Sequence, residues 1–275
     1  MEVILMTVSK RFYQVAIVFC AVMALMFCLM VPAHATEADP STNNYYLQVD
    51  QNLLGQITTN SNYGVIYGPY KVSAAQIQTA TNVAPADQTV LDLLKTVCGN
   101  KTGGASYGVS YTTTTYGTYV TAFSKANLAT PASGAITANL YESKGYITSA
   151  QVGELFNSNM YATDTNTTQL SPTEYSGVSG WMFTQNDSNL ISGNYLSVDN
   201  KLVNYGDEAV IHFDYSIDGG SDVGISDSYI PTATTTNDDG KEVYDWNSAT
   251  NFVSIGSMDT NAASIRTNAT TFTTN

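Results

Sequence analysis

The sequence predicts an α+β fold: a mixed sheet packed on one main helix, with a variable insertion and a polar C-terminal tail. Three stretches carry that reading. From Ala209 to Ile217 the chain alternates, with Ala209, Ile211, Phe213, Tyr215 and Ile217 on one side and Val210, His212, Asp214 and Ser216 on the other. That period of two belongs to a half-buried strand. From Val90 to Val97 the apolar residues fall at Val90, Leu93, Leu94 and Val97, the one-sided stripe of a helix. Runs of Tyr, Thr and Val, interrupted by Gly, supply further strands.

In chain order, the N-terminus has the form of a secretory leader. Lys10 and Arg11 precede an apolar run from Val15 to Val31, and Pro32-Ala33-His34-Ala35 offers an Ala-x-Ala cleavage site before Thr36. Left uncut, the same run is just long enough to anchor the chain in a membrane. With residues 1–35 removed, the chain loses Lys10, Arg11 and Glu2 and keeps 8 basic against 22 acidic side chains, a net charge of −14. Such a field repels nucleic acid and anionic lipid. Charged residues are only 12% of the sequence, against roughly 25% in an average soluble domain. Thr, Asn, Ser and Tyr must therefore cover the surface, as suits an extracellular protein. Cys98 alone survives cleavage, so no internal disulfide forms and packing must hold the fold.

Residues 36–44 read as a disordered lead. Tyr45–Val49 and Tyr63–Tyr67 read as strands, with Gly68-Pro69 turning the chain into Tyr70-Lys71-Val72. Thr89 and Asp92 form a capping-box start for the helix, and Gly99 ends it. Tyr107–Tyr111 and Tyr116–Phe123 are strands. A short helix reads from Thr148 or Ser149 to Phe156. Trp181-Met182-Phe183-Thr184 is another strand, followed by the polar turn Gln185–Asn189. Residues 226–275 are rich in Thr, Asn, Asp and Ser, and their low hydrophobicity predicts a tail that is weakly packed or needs a partner.

The words Gly180-Trp181-Met182-Phe183, Asn194-Tyr195-Leu196 and Gly206-Asp207, each ahead of or within a strand, occur in a telling order. With the Thr-Val-Leu-Asp-Leu-Leu helix before them, they resemble the transcobalamin C-terminal-like domain. That family is a β-grasp-like module of secreted Gram-positive proteins, mostly of unknown function. The resemblance implies a β-grasp-like domain over residues 45–225, with residues 124–176 as a variable insertion, and brings Tyr116, Tyr119 and Tyr195 near the Gly-Trp segment. It also implies cobalamin or another corrinoid as an alternative ligand, although this chain has no room for the helical barrel that closes over the corrinoid in transcobalamin-like proteins.

Catalytic chemistry finds little to work with. His212 is the one histidine left after cleavage, placed on the outward parity of its strand with Asp214 two residues on. It reads as a solvated residue on an acidic surface. No Gly-x-Ser-x-Gly elbow and no phosphate loop accompany it. His212 and Cys98 alone are too few for a zinc site, and Cys98 at a helix C-terminus reads as a buried apolar side chain. Asp218–Asp222 and Asp238–Gly240 carry oxygen ligands on Gly turns but lack the EF-hand spacing, so they read as turns before calcium loops. The expectation is a secreted or cell-surface, non-enzymatic module that binds an extracellular protein or a small molecule. Its candidate face is Trp181, Phe183, Tyr116, Tyr119 and Tyr195. A corrinoid binder is the alternative and a carboxylate-dependent hydrolase the third reading.

Overall fold

The computed structural model describes residues 39–101, 105–115, 117–131, 136, 168–172, 174–175, 179–188, 190–191, 194–195, 197–217, 220, 222–223, 228–231, 234–236, 242–244, 249–252 and 261–273. The chain divides after Asp39, and every element below belongs to the unit Pro40–Asn275. The leader and the helix expected at 148–156 lie outside the described residues.

Strand β1, Asn44–Asp50, has Tyr45, Leu47 and Val49 at 0% exposure on one face. Helix α1, Asn52–Thr58, follows and buries Leu53, Leu54 and Ile57. Strand β2, Val65–Ser73, returns antiparallel to β1. The expected turn at Gly68-Pro69 is instead a bulge within this single strand. The ladder steps from Leu47 opposite Tyr70 to Val49 opposite Tyr67. Gly68, at φ 91°, approaches β1 so closely that a Cβ would lie 2.3 Å from the Leu47 carbonyl oxygen. Only glycine tolerates both conditions.

Helix α2, Ala74–Thr81, was not anticipated, yet it carries its own capping box. Gln76 N donates to Ser73 Oγ at 3.2 Å while Ser73 N donates to Gln76 Oε1 at 2.8 Å. Helix α3, Val90–Cys98, is the expected main helix. Asp92 N donates to Thr89 Oγ1 at 3.2 Å and Thr89 N to Asp92 Oδ2 at 3.0 Å, which satisfies two of the orphan amides at the helix start. Gly99 leaves the helix at φ 83°. Val90, Leu93 and Leu94 are fully buried.

Strands β3 (Gly108–Thr114), β4 (Gly117–Ser124) and β5 (Gln169–Leu170) make a small antiparallel sheet. Then come β6 (Gly180–Gln185), the short pair β7 (Leu190–Ile191) and β8 (Asn194–Tyr195), and β9 (Ala209–Ser216). Strands β10 (Ser228–Pro231), β11 (Thr234–Thr236), β12 (Glu242–Tyr244) and β13 (Ala249–Phe252) pair as β10 with β13 and β11 with β12. Helix α4, Ala262–Asn268, and strand β14, Thr270–Thr271, end the described chain.

The main sheet has the order β14-β2-β1-β9-β6. β1 and β9 run parallel at its centre, β2 and β6 are antiparallel to them, and β14 lies parallel to β2. With α3 laid across one face, this is a β-grasp-like α+β fold. One continuous core joins that face to α1, α3 and the small sheet. The end of the tail has a seat: Ala262 and Ile265 are 4% and 1% exposed against Tyr46 and Val210 on the opposite face. Two apolar residues at helical spacing suffice to seat it, although the segment's average hydrophobicity is low.

Candidate functional site

Strand β6 carries the aromatic pair that the sequence singles out. Trp181 stands opposite Tyr215 and Phe183 opposite Phe213, so both rings share the core face of the sheet. The Trp181 indole meets Phe123 edge-on at 4.6 Å and Tyr215 at 5.1 Å, and its Nε1 donates to the Leu170 carbonyl at 3.1 Å. Phe183 stacks on Phe213 at 4.7 Å with the rings 14° apart. Behind them Tyr175 approaches Tyr215 edge-on at 5.9 Å and donates its hydroxyl to the Pro131 carbonyl at 2.9 Å. Burial pushes both phenols well above the ordinary tyrosine range. Trp181 and Phe183 are half-buried and pack on this aromatic row.

The other three candidates are placed differently. Tyr119, on β4 opposite Thr112, is 50% exposed. It lies four residues, or about 13 Å of strand, from the Phe123 that touches Trp181. Tyr116 and the Tyr195 side chain lie outside the described residues.

Strand β6 is also an edge. Asn186 N donates to Val210 O at 3.0 Å and Val210 N donates back to Asn186 Oδ1 at 3.0 Å, which sets the phase of the ladder. By antiparallel alternation Thr184 and Met182 bond to β9, and the amides and carbonyls of Trp181 and Phe183 point to the open side. Among the described residues no strand occupies that side.

On the opposite sheet face lies a polar row that sequence reasoning missed. Gln48, His212 and Thr184 are cross-strand neighbours, with Asp50 and Asp214 in the next row. His212 is not a solvated surface residue: it is 1% exposed, and Asp50 is 0%. Its outward parity was read correctly, but this second face is covered too. The histidine's partner is Asp50, 162 residues earlier, with Nε2 to Oδ2 at 2.7 Å. Gln48 Nε2 donates to the same oxygen at 2.6 Å, and Asn52 N reaches Oδ1 at 3.3 Å. Both carboxylate oxygens thus accept, and His212 Nε2–H is the donor. Nδ1 has no hydrogen-bond partner among the described residues. A carboxylate-oriented histidine is half of an acid–base device, but general catalysis requires the free nitrogen to reach a substrate. Buried as it is, the pair ties β1 to β9. The available signal was the matched parity of Gln48-x-Asp50 with His212-x-Asp214, visible only once β1 and β9 are known to be neighbours.

The surplus of acids has a structural use. Asp199 Oδ2 accepts from Thr118 N at 2.7 Å, Asp207 Oδ1 from Asn44 N at 2.6 Å, and Glu174 Oε2 from Ser171 N at 2.9 Å. Asp222 accepts from Ile217 N at 2.9 Å and from Ser216 Oγ at 2.5 Å, while Asp218 and the Asp238–Gly240 stretch lie outside the described residues. Among the described residues no group of three His, Cys, Asp or Glu side chains is arranged to hold a metal. Cys98 is 8% exposed, and burial pushes its thiol well above the ordinary range, away from nucleophilic use.

None of the family models, curated proteins or solved structures compared with this chain matches it.

Proposed function

We propose that the chain is a secreted, non-enzymatic binding module that engages an extracellular protein along strand β6. One observation carries this: edge strand β6 holds two half-buried aromatic residues, Trp181 and Phe183, whose backbone groups point to its open side. An added strand of a partner would bond to those amides and carbonyls and lay alternate side chains against the aromatic row. The low content of charged residues, with tyrosine and threonine in their place, is consistent with an extracellular contact surface.

The test is capture of cell-envelope proteins on the immobilised chain, residues 36–275, against a Trp181→Leu variant. Leucine keeps an apolar side chain on the core and removes the indole. Loss of capture with a thermal midpoint within a few degrees of the parent supports the reading, and undiminished capture by the variant overturns it. A corrinoid is the second reading, favoured by the chain order β1, α3, β4, β6, β9, which is the order of the transcobalamin C-terminal-like resemblance. Calorimetric titration with cobalamin and its base-free precursor decides it: saturable heat promotes the corrinoid, and none at high concentration removes it.

A further inference from the structure

The last described segment, Asn261–Thr273, is seated on the sheet as a separate ligand would be. Its two fully buried side chains, Ala262 and Ile265, pack with Tyr46 and Val210 in a small cluster of their own, while Phe272 packs against the margin of the main core. Its polar contacts are few and specific. Ala262 N donates to Asp187 Oδ1 at 2.7 Å, Arg266 Nη2 to Asn186 Oδ1 at 2.6 Å, and Arg266 Nε to the Glu208 carbonyl at 3.1 Å. At the far end Phe272 N donates to Lys71 O at 2.9 Å and Phe272 O accepts from Gln76 Nε2 at 2.5 Å, while the ring meets Tyr70 edge-on at 5.5 Å. Between them β14 adds two exposed residues to the ladder, parallel to β2.

The seat and the segment carry opposite charge, with Glu208 also paired to Lys71 at 2.7 Å. Asp187 and Glu208 flank the seat, and the segment brings Arg266 as its one charged side chain. Arg266 helps, after the Lys71 hydrogen bond, to hold the Glu208 carboxyl below its ordinary range. The other four strands of the main sheet and every fully buried side chain of the principal core come from outside this segment, with Phe272 packed only on that core's margin. Cooperative units of low stability are those with few buried apolar contacts, and this one buries only two side chains fully.

We propose that Asn261–Thr273 is a detachable strap. It leaves as a unit while the sheet stays folded, baring the β2 edge and the Tyr46–Val210 patch, and the vacated groove accepts the same segment from a second copy of the chain. A newly bared strand edge is a template for strand addition, and the groove's side-chain chemistry is written for this peptide.

Two measurements on residues 36–275 test it. In native-state hydrogen exchange, the amides of Ile265 and Phe272 exchange together and at least 100-fold faster than those of Leu47 and Ile211. Exchange at the core rate overturns the proposal. Second, a synthetic peptide of residues 259–275 binds saturably to the Ile265→Asp chain, whose own strap cannot seat, and at least 10-fold more weakly to the parent. Failure of the peptide to bind a folded Ile265→Asp chain overturns the trans claim. If Ile265→Asp abolishes folding, the strap is part of the global core and the proposal fails, unless the milder Arg266→Glu chain folds and binds the peptide.

Discussion

Replacing His212 with leucine probes the buried pair most sharply. The substitution removes the 2.7 Å partner of Asp50, while Gln48 Nε2 at 2.6 Å and Asn52 N at 3.3 Å remain. Asp50, at 0% exposure, is then left with two hydrogen-bond donors in a site closed to water. Removing one member of a buried ion pair costs about 3–5 kcal/mol. The two retained donors argue for the lower end, about 3 kcal/mol. For a domain of this size, roughly 2–4 °C of thermal midpoint accompanies each kcal/mol, so His212→Leu lowers the midpoint by about 6–12 °C. Asp50→Asn costs less, since the amide oxygen still accepts one hydrogen bond. The double variant Asp50→Leu/His212→Leu recovers much of the loss, because replacing both members by apolar groups is often close to neutral. Denaturant titration of the four chains, read as a double-mutant cycle, should give a coupling of about 1.5–3 kcal/mol. A His212→Leu cost below about 1 kcal/mol, or additive single effects, would refute the assignment of this pair as the tie between β1 and β9.

Three further perturbations follow from the geometry. Trp181→Ala removes two edge-on ring contacts and one indole hydrogen bond. From a half-buried site it should cost about 2–3 kcal/mol by denaturant titration, below the range for fully buried Trp. Gly68→Ala forces a Cβ to 2.3 Å from Leu47 O at φ 91°, so the variant should lose more than about 2 kcal/mol or fail to accumulate folded. Alkaline titration should expose the buried phenols. Burial raises Tyr67, Tyr175 and Tyr215 well above the usual range and Tyr205 to about 12. A phenol raised in the folded state favours folding fully below its unfolded value, near 10, and that contribution is lost as pH climbs through the folded value. Stability should therefore fall steeply above about pH 10, and tyrosinate absorbance from these residues should appear only with unfolding. Smooth ionisation of every tyrosine near pH 10 in a protein that stays folded would contradict their burial.

Much of the scaffold was readable locally. Thr89 and Asp92 announced α3 because a capping box is chemistry within four residues, and Ser73 with Gln76 announced α2 in the same terms, though that signal was passed over. The aromatic pair on β6 was legible because parity alone puts Trp181 and Phe183 on one face. Tyr119 was not, because its distance from Trp181 depends on how the small sheet meets the large one.

Periodicity within the sequence determined which side chains share a face: Ile211, Phe213 and Tyr215 against His212 and Asp214. Only the tertiary structure decided what each face meets. A strand's alternation is set by its own backbone geometry, whereas burial depends on segments far away in the chain. Pairing β1 with β9 carried Asp50 to His212, and cover on the second face turned an expected surface histidine into a buried one. In the same way the close approach of β1 at Gly68 made a bulge where a turn was expected, and Tyr46 and Val210 gave the polar C-terminal segment a seat that its own composition does not reveal.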